Sequence, residues 1–207
     1  MQELLTLAKL ADEVGLDVLA LGEFHRADFI ISAPEVILAA IAAVTQHIRL
    51  SSAVLNPADP VRVFQNFATV DLISDGRAEI IAGRGSFIES YPLFGYDLDD
   101  YDELFVEKLS LLLKINASEV ASWQGKHRPG ISGQGVYPRP VQPALPVWIG
   151  IGGTPTLAVR AGKLGPPLTI AVLGGTLDRY VPFTELHRES AQKAGHDPAQ
   201  LPRRLIY

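Results

Sequence analysis

DPVRVFQNFATVDLISDGRAEIIAGRGSF, Asp59 to Phe87, decides the fold. Asp59-Pro60 reads as an N-cap followed by proline at the first helical position, where a missing N–H costs nothing. Val63, Phe64, Phe67, Val70 and Leu72 recur at helical spacing and carry an apolar face to Gly76. AEIIAG (78–83) is then a short apolar run of strand length, and it climbs into Gly83-Arg84-Gly85-Ser86. Helix, tight turn and buried strand follow one another with nothing between them, which is the repeat of a parallel α/β fold.

The same alternation extends outward in both directions. Leu4, Leu5, Ala8, Leu10, Ala11 and Val14 mark a helix closed by Gly15, and LDVLAL (16–21) a strand. Ser32 and Glu35 have capping-box spacing around Pro34, ahead of a helix face at Ile37, Leu38, Ile41 and Val44. IRLSSAV (48–54) is the next strand. Downstream, a helix is expected from about Leu98 to Ile115, acidic early and basic late as its dipole favours. PVWIGIGG (146–153) enters a glycine turn, and Thr154-Pro155 repeats the cap-and-proline signal. LTIAVLGG (168–175) is strand-like, a last helix runs from about Leu177 to Ala194, and RRLIY starts a further strand. Between them, 116–146 holds four glycines and five prolines and reads as a long surface loop excursion within a single domain, 1–207.

Continuously apolar strands suit a sheet covered on both faces. Two architectures fit, a doubly wound sheet and a (β/α)8 barrel, and a barrel usually needs about 250 residues. The chain has 207 residues, 47% apolar and 20% charged, with a formal charge of -5. No Lys/Arg block and an acidic balance argue against nucleic acid or an anionic membrane as partner. The absence of cysteine excludes disulfides, thiolate nucleophiles and Cys-ligated zinc, and it fits a cytoplasmic location. No apolar run approaches the roughly 20 residues of a spanning helix, and Met1 leads straight into an amphipathic segment without a signal peptide.

Ligand sites in either architecture lie at the C-terminal ends of the strands. AGRGSF (82–87) is neither a Walker loop nor a dinucleotide fingerprint. Its glycines admit close backbone approach and Arg84 offers a planar fork for phosphate oxygens, or it is a plain turn with a solvated arginine. GIGGTP (150–155) frees backbone N–H groups at a helix start and adds the Thr154 hydroxyl, or it is an ordinary capped turn. In GEFHR (22–26), Glu23 and His25 lie two apart and can share a site for proton transfer, or form a structural pair. His47, His127, His187 and His196 lack metal-ligand spacing and read as surface residues, so no metal set is expected. Trp123, Lys126, His127, Arg128 and Tyr137 give the excursion the composition of a substrate lid or of a solvated loop.

In this order the pieces resemble the bacterial-luciferase-like flavin monooxygenase family. The resemblance rests on LAKLADEVGLDVLALGEFHR, the Asp59–Phe87 stretch, FGYDLDDYDELFVEKLSLL, GVYPRPVQPALPVWIGIGG and AGHDP. It implies a TIM-barrel, (β/α)8, here without the first strand and the C-terminal strand and helices. It implies reduced FMN, or a deazaflavin in some branches, with a transient flavin reductase as its source, a small organic substrate and a homodimer or higher oligomer. By position, Arg84, Gly85 and Ser86 would meet the flavin phosphate, Gly152, Gly153 and Thr154 would complete its cup, and Ser52 and Ala53 would flank the isoalloxazine ring. His25 with Glu23 would handle protons; relatives commonly carry Glu-His-His there, and Phe24 stands at the first of those histidines. The implied activity is FMN-dependent monooxygenation. A non-catalytic flavin-binding protein and a deazaflavin-dependent hydride-transfer enzyme are the alternatives on the same frame.

Overall fold

The structure, a computed structural model, describes every residue except 54–57, 84, 86, 173 and 207. The chain falls into two compact units, Met1–Ile80 with Arg84–Pro146, and Ile81–Gly83 with Val147–Tyr207.

In the first unit, α1 (Gln2–Glu13), β1 (Val18–Gly22), α2 (Pro34–Ala42), β2 (Arg49–Ala53), α3 (Pro60–Ser74) and the start of β3 (Ala78–Ala82) alternate. The strands are parallel: Leu19 lies opposite Leu50, and Leu50 opposite Ala78. A short α4 (Ser90–Leu93) and a 3-10 turn (Leu98–Asp100) lead into α5 (Tyr101–Ala117). Leu38 and Ile41 of α2, Phe64 and Phe67 of α3, and Leu111 and Ile115 of α5 have no exposed surface, and neither do Leu50 and Ile80 of the strands. Each such side chain contributes about 1.5–3 kcal/mol by leaving water.

The start of α3 is as the sequence reads: the Asp59 carboxylate accepts the Val61 N–H at 2.9 Å and Pro60 opens the helix. The start of α2 is not. Ala33 is its N-cap, with φ -133° and ψ 74°, and no side chain caps it. A residue before proline is pushed out of the helical region, so the helix begins at Pro34 and Ser32 falls one residue too early for the capping box.

The Ser-Asp-Gly-Arg turn between α3 and β3 has a physical reason for each residue. Asp75 and Gly76 take left-handed φ values of 56° and 86°. Ser74 Oγ accepts the Arg77 N–H at 3.2 Å. The Arg77 guanidinium donates to the carbonyls of Ala42, Thr45, Ile48 and Ser74 at 2.9–3.0 Å and to Thr45 Oγ1 at 3.0 Å. One planar fork thereby closes the end of α2 and the approach to β2.

Within the 116–146 excursion the structure places an antiparallel hairpin, β4 (Val120–Trp123) and β5 (Ile131–Gly135). The segment is fastened along its length. Glu107 of α5 accepts the Lys126 and His127 N–H groups, Arg128 pairs with Asp59 at 3.1 Å, and Arg139 donates to the carbonyls of Ile115 and Asn116. Asn116 and Leu145 exchange two hydrogen bonds, at 2.8 and 2.9 Å.

In the second unit, β6 (Val147–Ile151), β7 (Leu168–Ala171) and β8 (Arg203–Ile206) are parallel, with Gly150 opposite Thr169 and Thr169 opposite Arg204. Arg203–Ile206 of RRLIY therefore form a strand; Tyr207 lies outside the described residues. Helices α6 (Pro155–Leu164) and α7 (Val181–Lys193) cover this unit and pack at Gly162, where a Cβ would lie 2.4 Å from the His187 carbonyl oxygen. His187 is consequently fully buried, not a surface residue; its Nε2 lies 3.2 Å from the Pro166 carbonyl, and burial pushes its pKa down.

Two stability effects follow from these contacts. Arg77→Ala leaves several carbonyls without donors and is expected to cost about 3 kcal/mol in urea unfolding. Gly162→Ala drives a methyl group against backbone that cannot yield, and a loss of about 1–3 kcal/mol is expected from the same measurement.

Candidate active site

β1 ends at Gly22, opposite Ala53 at the end of β2, and the chain leaves the sheet there carrying Glu23, Phe24 and His25. Glu23 Oε1 and His25 Nε2 are 2.9 Å apart, with side chains 8% and 9% exposed. The structure thus brings together the two residues assigned to proton transfer. Phe24 turns the other way. It stacks on Phe29 with ring centroids 4.1 Å apart and meets Phe87 edge-on at 5.6 Å. Its ring lies so close to Gly22 that a Cβ there would sit 2.3 Å from it, so any larger residue at 22 would push the Phe24 ring aside. Phe94 meets the His25 ring edge-on at 5.1 Å.

Burial in this aromatic setting governs the acid. Desolvation raises the Glu23 pKa to about 7, the His25 hydrogen bond works against the rise, and the nearby Glu35 charge adds to it. Arg26 does not relieve Glu23. It is held by both Asp28 oxygens, at 2.9 and 3.1 Å, and by Glu89 at 3.1 Å, with its guanidinium 4.5 Å from the Phe87 ring centre. Glu23 is thus a buried carboxyl with its pKa pushed up to about 7 in an apolar surround, the condition under which a general acid–base group is useful.

The cofactor-assigned residues are distributed as follows. Ser52 is fully buried in β2, one residue after Ser51 and so on the opposite sheet face, and its Oγ has no hydrogen-bond partner. Ala53 is the last residue of β2. Arg84 and Ser86 lie outside the described residues. Gly85 has a left-handed φ of 87°, and its carbonyl accepts the Tyr101 hydroxyl at 3.1 Å. In the second unit, Gly152, Gly153 and Thr154 link β6 to α6. Gly153 has φ 128°, with nothing within 4 Å of where a Cβ would stand. Thr154 is the N-cap of α6, yet its side chain makes no capping bond and Pro155 takes the first helical position. An uncommitted hydroxyl, an open glycine and free N–H groups of a helix start fit a phosphomonoester.

Sequence reasoning missed several participants. The Phe24–Phe29–Phe87 cluster and Phe94 make contacts that have no periodic signal, although an aromatic two residues after a strand-end glycine hints at the Gly22 contact. His127 was expected at the surface but has a side chain only 9% exposed, because Glu107 fixes its backbone against α5. None of the described helices is long and apolar enough to cross a membrane.

Comparison with known proteins shows the family. The family model described as luciferase-like monooxygenase matches residues 1–206. The F420-dependent glucose-6-phosphate dehydrogenase of Amycolatopsis mediterranei is 28% identical over 167 residues, 76% of this chain and 49% of that protein. The alkanal monooxygenase alpha chain of Photorhabdus laumondii is 25% identical over all of this chain and 58% of its own length. The crystal structure of monooxygenase RslO1 from Streptomyces bottropensis superposes with a TM-score of 0.86 at 26% identity, covering 100% of this chain and 64% of that one. The chain thus spans roughly half to three-fifths of the length of these two curated relatives. With parallel strands alternating with helices and a family-model match over residues 1–206, this chain belongs to the luciferase-like monooxygenase family.

Proposed function

We propose that this chain is the flavin-handling part of an FMN-dependent monooxygenase acting on a small organic substrate. The observation that carries the reading is the buried Glu23–His25 pair at the end of β1, with Glu23 titrating near neutrality beside the end of β2. Gly152, Gly153 and Thr154 would take the cofactor phosphate at the start of α6; for Arg84, Gly85 and Ser86 a phosphate role stays what the family resemblance implies. Ser52 and Ala53 flank the ring system. Bound reduced flavin supplies two electrons to dioxygen, one oxygen atom going to the substrate and the other to water. A partner reductase supplies the reduced flavin.

The chain's own contribution is to hold a proton and to keep water out. Burial against Phe94 and the Phe24 cluster favours the neutral, protonated carboxyl of Glu23, which His25 Nε2 holds in place at 2.9 Å, ready to act as a general acid. Gly22 lets Phe24 fold down, which leaves His25 as the ring on the acid.

A second reading, hydride transfer to or from a deazaflavin, draws support from the F420-dependent dehydrogenase among the relatives. The phosphate seat and the proton pair serve either cofactor. Anaerobic titration with reduced FMN and reduced F420 separates them. The monooxygenase reading expects tighter binding of FMN and substrate-stimulated oxygen uptake with a reductase; preference for F420 and turnover without oxygen would replace it.

Two variants test the residues. Thr154→Val is expected to weaken FMN binding about tenfold while leaving riboflavin, which lacks the phosphate, unchanged; equal losses for both would remove Thr154 from phosphate recognition. Glu23→Gln is read by stability against pH. The folded-state pKa of about 7 is raised above the ordinary 4.5, so the neutral acid's contribution is full below pH 4.5 and is lost as pH rises through 7. The wild type should therefore lose up to about 3 kcal/mol across this window relative to Glu23→Gln. Parallel curves for the two proteins would show that Glu23 is not the perturbed acid.

A further inference from the structure

The proton pair and the phosphate seat leave a second cluster of titratable groups unused. Asp100 is the N-cap of α5, Glu103 lies in its first turn, and His127 comes from the hairpin turn between β4 and β5. His127 Nε2 is 3.4 Å from Glu103 Oε2, and Nδ1 is 3.9 Å from Asp100 Oδ2. One donor atom from each of the three residues falls within a span of 4.8 Å.

We propose that Asp100, Glu103 and His127 form a divalent-cation site of the zinc class that clips the hairpin turn to the start of α5. Three observations carry this. First, the His127 side chain is only 9% exposed, yet its Nε2 makes no hydrogen bond. Its nearest partner, the Glu103 carboxylate, makes only a loose contact at 3.4 Å, short of the well-aligned hydrogen bond that burial normally demands. Second, the ring is placed from behind: Glu107 accepts the backbone N–H groups of both Lys126 and His127, at 2.8 and 3.1 Å, so His127 is held over α5 before any ion binds. Third, part of the donor spacing suits the ion. Tetrahedral zinc with bonds of about 2.0–2.1 Å holds its ligand atoms about 3.3 Å apart, close to the 3.4 Å His127–Glu103 separation; the full set spans up to 4.8 Å, so the Asp100 carboxylate, 39% exposed and nearer Nδ1, must swing in to complete it. Nitrogen with two carboxylate oxygens is a donor set that zinc accepts, leaving a fourth position to water.

The charge balance favours a cation as well. Asp99, Asp100, Asp102, Glu103 and Glu107 gather along the first turns of α5 and the residues leading into it. Arg128 is engaged by Asp59 at 3.1 Å. The ammonium of Lys126, 2.7 Å from Glu103 Oε2, occupies part of the position a metal would take. That side chain is 64% exposed on a long stem, so it can swing into water when a divalent ion displaces it. Lys126 is thus a competitor built into the site, and the metal closes the turn where the ammonium only covers it.

The test is calorimetric titration of zinc chloride into the full chain after chelator treatment, with three variants beside the wild type. Wild type is expected to bind one equivalent. His127→Ala and Glu103→Gln should each weaken that binding by about tenfold or more, the usual loss for a removed ligand or its support. Lys126→Gln should tighten it, because a competing charge is gone, and a gain of affinity cannot arise from misfolding. Absence of saturable binding by the wild type would overturn the proposal. Binding that persists unchanged in both His127→Ala and Glu103→Gln would also overturn it, since it would place the zinc on other histidines.

Discussion

Asp71 is the joint on which the first unit turns. It has no exposed surface, and an ionised carboxylate in that position is tolerated only if donors surround it. Three do. The Ala78 N–H reaches Oδ1 at 3.1 Å, Gln142 N–H reaches Oδ2 at 3.1 Å, and the Gln142 side-chain amide reaches Oδ1 at 2.7 Å. One side chain of α3 therefore fixes the first residue of β3 and the returning end of the 116–146 segment at once. The same amide also donates to the Ala78 carbonyl at 2.8 Å, so both backbone groups that open β3 are set. With its start pinned, β3 keeps its register beside β2, Ala78 opposite Leu50.

This division of labour runs through the molecule. The turns that precede strands are knotted by buried polar contacts, Asp71 and Arg77 at β3 and the Asp12 carboxylate on the N–H groups of Gln46, His47 and Ile48 ahead of β2. Near the strand C-termini some polar groups are left over, although Arg26 in the β1 loop is engaged by Asp28 and Glu89. Thr154 does not cap its own helix, the Oγ of Ser52 within β2 is unpartnered, and among the described residues Glu23 hydrogen-bonds His25. Knotted strand starts let a parallel α/β scaffold carry such groups at the strand ends without being weakened by them.

Much of this was legible in the sequence, and the reason is local. Asp59-Pro60, the Gly76 turn and the all-apolar β3 announce themselves because each depends on neighbours a few residues away. Glu23 and His25 could be paired for the same reason. What could not be read depends on distant contacts. His187 looks like any polar helix residue until Gly162 allows α7 to close on α6. Phe24 looks like a lost histidine until its ring is seen seated on Gly22 and packed against Phe29 and Phe87. The excursion's composition predicts a loop, and only cross-chain bonds from Glu107, Asp59 and Asn116 show how it is fastened. Ser32 misled because a proline two residues on overrides a capping pattern.

The central claim is that the glycine turn and helix start after β6 seat a cofactor phosphate. A crystal structure of the chain with FMN tests it most directly. The account predicts the phosphate within hydrogen-bond distance of Thr154 Oγ1 and of the first free N–H groups of α6. A flavin phosphate bound elsewhere, with Gly152, Gly153 and Thr154 facing only solvent, would contradict it.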